Sequence, residues 1–154
     1  MDVRAKLKEM GYDLGSTPRA VAEYVPAVRS GGLIFVSGQL PMRDGQLLAE
    51  GRVPEDVDLE TAQRCARQAA INGLAAVDTV LAGDWAPFVR IVRVGVFVNC
   101  DHDFNLQHKV ANAASELLGQ LFGEAGHHAR AAVGASGLPL GAPVELELIV
   151  EARP

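Results

Sequence analysis

A chain of 154 residues with 49% hydrophobic content can bury a real core, so one domain over 1–154 is expected without disulfides or metal. A net charge of -5 and a pI near 5.3 leave no evident source for the phosphate attraction that nucleic-acid binders rely on, and no nucleic-acid partner is expected. Cys65 and Cys100 lack CxxC spacing and read as buried free thiols of a reducing compartment; the charged N-terminus is no signal peptide and no stretch approaches a membrane span, so the reading is a soluble, cytoplasmic protein.

In chain order, Val3, Leu7 and Met10 stand at helical spacing over residues 2–10, with Gly11 as a stop. Residues 24–28 and LIFVSG (33–38) are β-rich, and the RSGG between them supplies residues able to take positive φ, which predicts an antiparallel hairpin. Residues 59–82 form the clearest helix. Asp58 is its N-cap, Glu60 suits the first turn, and Gly83 ends it. Its stripe of Ala62, Ala66, Ala69, Gly73, Val77 and Val80 is small, which predicts close, flat packing on strands.

The run VRIVRVGVFVN (89–99) alternates, placing Val92, Val94, Val96 and Val98 on one face and Ile91, Arg93, Gly95 and Phe97 on the other. A second long helix is predicted from 105 to about 122, with Asp103 of the DHD turn as N-cap. In PVELELIVE, Val144, Leu146, Leu148 and Val150 alternate with Glu145, Glu147, Ile149 and Glu151. The order predicts an α+β, two-layer fold with helices on one face of the sheet. The other face, with Phe97, Ala131 and Ile149, has no cover within the chain, and self-association would bury it.

Arg130 heads the apolar segment RAAVGA. It reads either as a pocket guanidinium gripping a carboxylate through two hydrogen bonds or as one half of an ion pair with Glu145 or Glu147. Glu145 and Glu147 share a strand face. Buried together they would raise one pKa, as a general base or water-positioning acid needs; exposed, they are a solvated face. His102, His108, His127 and His128 have no metal-ligand spacing, so no metal is expected, and no nucleophile elbow, P-loop or dinucleotide fingerprint is present. The strand end VSGQLP (36–41) could present backbone groups to a ligand or be a plain turn.

The segments VSGQLP, VRVGVFVNCDHDF and ARAAVGASGLPLGAPVELELIVEA, in this order and at about these spacings, resemble the RidA/YjgF family of enamine/imine deaminases, also labelled endoribonuclease L-PSP. The resemblance runs from about residue 24 to 152, and the last segment is its most specific part. It implies a chorismate-mutase-like fold: a mixed sheet backed by two helices, in a homotrimer with inward-facing sheets and ligand clefts between subunits. Such a trimer would cover the second sheet face.

By position, Arg130 matches the family arginine that binds the substrate carboxylate, and Glu145 the glutamate that holds the attacking water. Tyr24 matches a tyrosine that closes the cleft from the adjacent subunit, while Ser37 and Gly38 match the SG whose backbone lines the pocket. Ala132 stands where many members have cysteine, His108 where asparagine is common, and the stretch 110–128 is about five residues longer than in archetypal members. With an N-terminal extension over 1–17, these departures mark a divergent, longer-chain subgroup with a reshaped pocket. The expected function is hydrolysis of a small 2-enamine or 2-imino acid to a 2-keto acid and ammonia, without cofactor. The alternative is a non-catalytic module that binds a small carboxylate. A ribonuclease or translation-inhibitor role follows the older family label and sits badly with the acidic balance.

Overall fold

A computed structural model describes residues 1–18 and 23–154, which run α1 (Val3–Glu9), β1 (Ala27–Ser30), β2 (Leu33–Gln39), β3 (Met42–Arg43), β4 (Gln46–Leu47), α2 (Leu59–Val80), β5 (Phe88–Asn99), α3 (Gln107–Phe122), β6 (Ala129–Ala135) and β7 (Val144–Ala152). Five strands form one mixed sheet in the order β1-β2-β7-β5-β6. Every pairing in it is antiparallel except β5 with β6, whose parallel register needs the crossover that α3 supplies. The fold is the expected α+β arrangement, with α2 and α3 on one face of the sheet.

Strand β7 alternates as its sequence does. Val144, Leu146, Leu148 and Val150 are buried beneath the helices, while Glu145, Glu147, Ile149 and Glu151 are half-buried on the other face. That face is bare: across it run Val28 and Phe35, both exposed, with Phe35 paired to Ile149 and Ile149 to Arg93. Strand β5 departs from the expected alternation, because its register to β7 shifts between Ile91 and Arg93. A residue in the bulge lets Ile91 and Val94 both enter the core and leaves Val92 half-buried.

The small stripe of α2 packs as expected. Asp58 accepts from the Thr61 amide at 2.8 Å, and Ala62, Ala66, Ala69, Gly73 and Val77 are buried. A Cβ built on Gly73 would lie 2.7 Å from Leu148 Cδ1, so the helix approaches the sheet as closely as a glycine allows. Cys65 and Cys100 are both buried and free, and burial pushes the Cys65 thiol up to about 11. Helix α1 docks through Val3 and Leu7, both fully buried, and through buried Asp78, which accepts from Arg4 and from the Trp85 indole at 2.6 Å each.

Two further sequence expectations need correction. The first strand begins at Ala27, and Tyr24 lies in an exposed bend ahead of it. Helix α3 starts at Gln107 after Leu106, with no side-chain cap. Asp103 remains in the turn that the Phe104 amide closes onto the Asp101 carbonyl, three residues too early to cap. The β3–β4 hairpin was not anticipated; Asp44 (φ 52°) and Gly45 (φ 78°) form its two-residue turn. No helix among the described residues is long and apolar enough to cross a membrane.

Gly73→Val forces overpacking against Leu148 and is expected to cost about 1–3 kcal/mol in urea unfolding. Gly119→Ala, inside α3 with nothing within 4 Å of the added carbon, should instead gain about 0.5–1 kcal/mol. Equal effects at the two positions would contradict the close helix–sheet approach.

Candidate active site

The side chains singled out by sequence gather in two groups. The first lies on the bare face, around Glu145. In the β2–β7 ladder the register shifts between Val36 and Gln39: both turn toward the core, and Ser37 and Gly38 occupy the irregularity between them. The Glu145 carboxyl lies over Gly38, in the space a Cβ there would fill. Any other residue at 38 must displace it. Gly95 makes similar room for Glu147, whose carboxylate pairs with Arg93 at 2.7 Å.

Glu145 meets no donor among the described residues. Burial, and then the neighbouring charge of Glu147, push its pKa upward. A half-buried carboxyl with unoccupied lone pairs and a raised proton affinity can hold a water and exchange a proton with it. Ser37 ties this group to the segment that carries Tyr24. Its hydroxyl donates to the Val25 carbonyl at 2.7 Å and its amide to the Pro26 carbonyl at 2.9 Å.

The second group surrounds Arg130 on edge strand β6. Arg130 pairs with Val94 and Ala132 with Val96, so both side chains lie on the helix side of the sheet. Arg130 forms no ion pair with Glu145 or Glu147. Its Nη1 donates to Asn112 Oδ1 and to Ser115 Oγ, both at 3.0 Å, on the flank of α3. Behind Ser115 stands His128, with Nε2 2.9 Å from the hydroxyl and Nδ1 2.6 Å from the Gly126 carbonyl. A carbonyl only accepts, so Nδ1 carries the proton, Nε2 accepts from Ser115, and Ser115 is left to accept from Arg130. Burial, reinforced by Arg130 and His127 and opposed by the Gly126 hydrogen bond, lowers the His128 pKa and favours this neutral ring.

Both Nη1 protons are thereby engaged, while the Nη2 and Nε protons remain: a two-pronged fork for a carboxylate. His108 is exposed one turn before Asn112 on α3. Asn112, Ser115 and His128 were not singled out as site residues. Asn112 and Ser115 stand three apart and so share a flank of α3, but Gln107, His108, Lys109, Glu116 and Gln120 are polar on the same helix and hide the pair. His128 closes the 110–128 stretch and returns against α3 behind the guanidinium.

The two groups do not meet within one chain. Glu145 pairs across the ladder with Phe97 on the bare face, and Arg130 projects from the opposite face. Ser37 and Gly38 join Glu145; Ala132 and His108 lie on the Arg130 side.

The chain matches the endoribonuclease L-PSP family over residues 14–152. It is 38% identical to Protein TCP17 of Trypanosoma cruzi over 150 residues, 97% of this chain and 93% of that protein. Among solved structures it is similar to a protein of unknown function from Agrobacterium tumefaciens, at 44% identity and TM-score 0.91, covering 97% of this chain and 92% of that one. It is also similar to Escherichia coli TdcF with bound serine, at 26% identity and TM-score 0.61, covering 88% and 92%.

The neutral ring of His128 makes a signed prediction. Its folded-state pKa lies below the ordinary 6.5, so the unfolded chain binds the proton more readily. Its stabilisation is complete above pH 6.5 and shrinks as pH falls through the folded value. Urea midpoints between pH 7.5 and 5 should decline more steeply for wild type than for His128→Gln; parallel curves would remove the burial argument.

Proposed function

Because this chain belongs to the endoribonuclease L-PSP family, the RidA/YjgF proteins, we propose that it hydrolyses small 2-imino acids to 2-keto acids and ammonia, in clefts between the subunits of a homotrimer. The observation that carries this reading is the separation of Arg130 from Glu145 on opposite faces of one sheet. A second subunit laid against the bare face brings one chain's edge-strand arginine toward another chain's glutamate. It also buries Phe35, Val28 and Ile149. A bound amino acid in TdcF supports a carboxylate ligand for the guanidinium.

In this mechanism the free Nη2 and Nε protons of Arg130 hold the substrate carboxylate. Ser37 and Gly38 line the cleft at the bulge, and Tyr24 closes it from the exposed segment that Ser37 anchors. On the protonated imine, Glu145 takes a proton from water as the water oxygen bonds to the imine carbon and the C=N π pair moves to nitrogen, giving a neutral carbinolamine. It returns that proton to nitrogen, the hydroxyl oxygen's lone pair forms the carbonyl, and the carbon–nitrogen bond breaks. The remaining hydroxyl proton leaves with the amine as ammonium. The raised pKa of Glu145 makes it a stronger proton acceptor than a free carboxylate, and neither transfer calls on a metal or cofactor.

A second reading, a binding module that holds a small carboxylate without turnover, is favoured by Ala132 and His108, where the chain departs from the family pattern. The acidic balance weighs against acting on RNA.

With freshly generated 2-iminopropionate, wild type should accelerate pyruvate and ammonia release. Arg130→Ala should lower kcat/KM about 100-fold or more, and Glu145→Gln should lower kcat by about 10²–10⁴. Light scattering should give the mass of three chains. Co-refolding the two variants at equal ratio should restore about a quarter of wild-type activity, because each cleft draws its arginine and its glutamate from different chains. No recovery would place both groups in one subunit. No acceleration by wild type, together with Arg130-dependent pyruvate binding in calorimetry, would establish the binding module.

A further inference from the structure

A recess of about 380 Å³ lies away from both groups of the candidate site, against the outer face of α2. Tyr12 reaches it from the N-terminal segment and Arg43 from β3, Leu48 follows β4, and Arg64, Arg67 and Ile71 come from α2. Three of the chain's 14 basic residues thus line one recess in a molecule with a net charge of -5, and no Asp or Glu lines it. Arg4, Arg52 and Arg93 each pair with a carboxylate; Arg43, Arg64 and Arg67 form no ion pair among the described residues. Of the acidic groups close in sequence, Glu60 stands one helical turn before Arg64 on α2 and forms no ion pair with it. Asp58 caps α2, and Asp13 and Asp44 line the adjoining cavity, which shares Tyr12, Arg43 and Gln68 with this one.

Converging like charges repel one another unless an anion offsets them, and a recess focuses their field. Arg64 is braced for that task, its Nη2 donating to Thr61 Oγ1 at 2.9 Å. The rest of the lining differs in character: Tyr12, an exposed Leu48 and the buried Ile71 offer apolar contact. We infer that this recess is a second ligand site, which takes a phosphate monoester of about mononucleotide size, with the phosphate on Arg43, Arg64 and Arg67 and the planar or apolar body against Tyr12, Leu48 and Ile71. Three guanidiniums match a doubly charged phosphate better than a single carboxylate. The volume falls within the range that encloses ligands of this size. This inference stands apart from the deaminase reading and uses none of its residues.

Calorimetry on the full-length protein at constant ionic strength, with AMP, adenosine and inorganic phosphate as probes, tests it. AMP should bind with submillimolar Kd, while adenosine and inorganic phosphate each bind at least about tenfold more weakly. Arg67→Ala and Arg43→Ala should each weaken AMP about 10- to 100-fold, with melting temperature and imine turnover unchanged. Arg67→Lys, which keeps the charge and loses the fork, should fall between wild type and Arg67→Ala. AMP binding that is absent at millimolar concentration, matched by inorganic phosphate, or indifferent to the arginine variants would overturn the proposal.

Discussion

The two-sidedness of β7 is the constraint from which the remaining structure follows. As the middle strand of five, it must fill the core beneath α2 and α3 with Val144, Leu146, Leu148 and Val150, so the three glutamates between and after them have to occupy the opposite face. Two carboxylates cannot stand on a half-buried surface unless their neighbours leave room. Gly38 on β2 and Gly95 on β5 do so, one on each side of the strand. On the helix side, Gly73 plays the matching part, letting α2 come down onto Leu148. Glycine is therefore placed by the demands of one strand's side chains, on both of its faces.

From that division comes a chemical one. The face with the carboxylates is also apolar at Phe35 and Val28, a combination that water tolerates poorly and a second copy of the sheet would suit. The guanidinium sits at the far edge on the other side, its geometry set by α3 and by the histidine that immediately precedes β6. Glu145, partly desolvated, has room to change protonation state; Arg130, exposed but doubly hydrogen-bonded, has little room to change position. One group is tuned in charge and the other in direction.

Much of this was legible in the chain because it is written in local periodicity. The two-residue alternation of 144–151 and the small stripe of α2 were both visible from side chains alone, and both describe which face meets the core. What escaped depended on partners distant in sequence. The bulge that admits Ile91 to the core is a property of the ladder with β7, and an alternating Val/Ile run cannot reveal where its phase slips. Asp103 looked like a cap by composition, but the turn that holds it delays the helix to Gln107. The Asp44-Gly45 pair did carry a hairpin signal, though strands of two residues have too little pattern to support it. The residues behind Arg130 were the hardest to see. Ser115 and His128 acquire meaning only when α3 folds back beside β6, and nothing in their spacing distinguishes them from ordinary polar surface residues.

Strand order also bears on how the molecule is made. β7 is the last of the seven strands to be synthesised, and it inserts between β2 and β5 rather than adding at an edge. Until it emerges, the β1–β2 hairpin and the β5–β6 crossover are separate pieces whose apolar faces have no common sheet on which to close. The nascent chain thus cannot complete its core progressively from the N-terminus, and its apolar faces stay unpaired until β7 has emerged. Loss of the final nine residues of the sheet would divide the core rather than trim it.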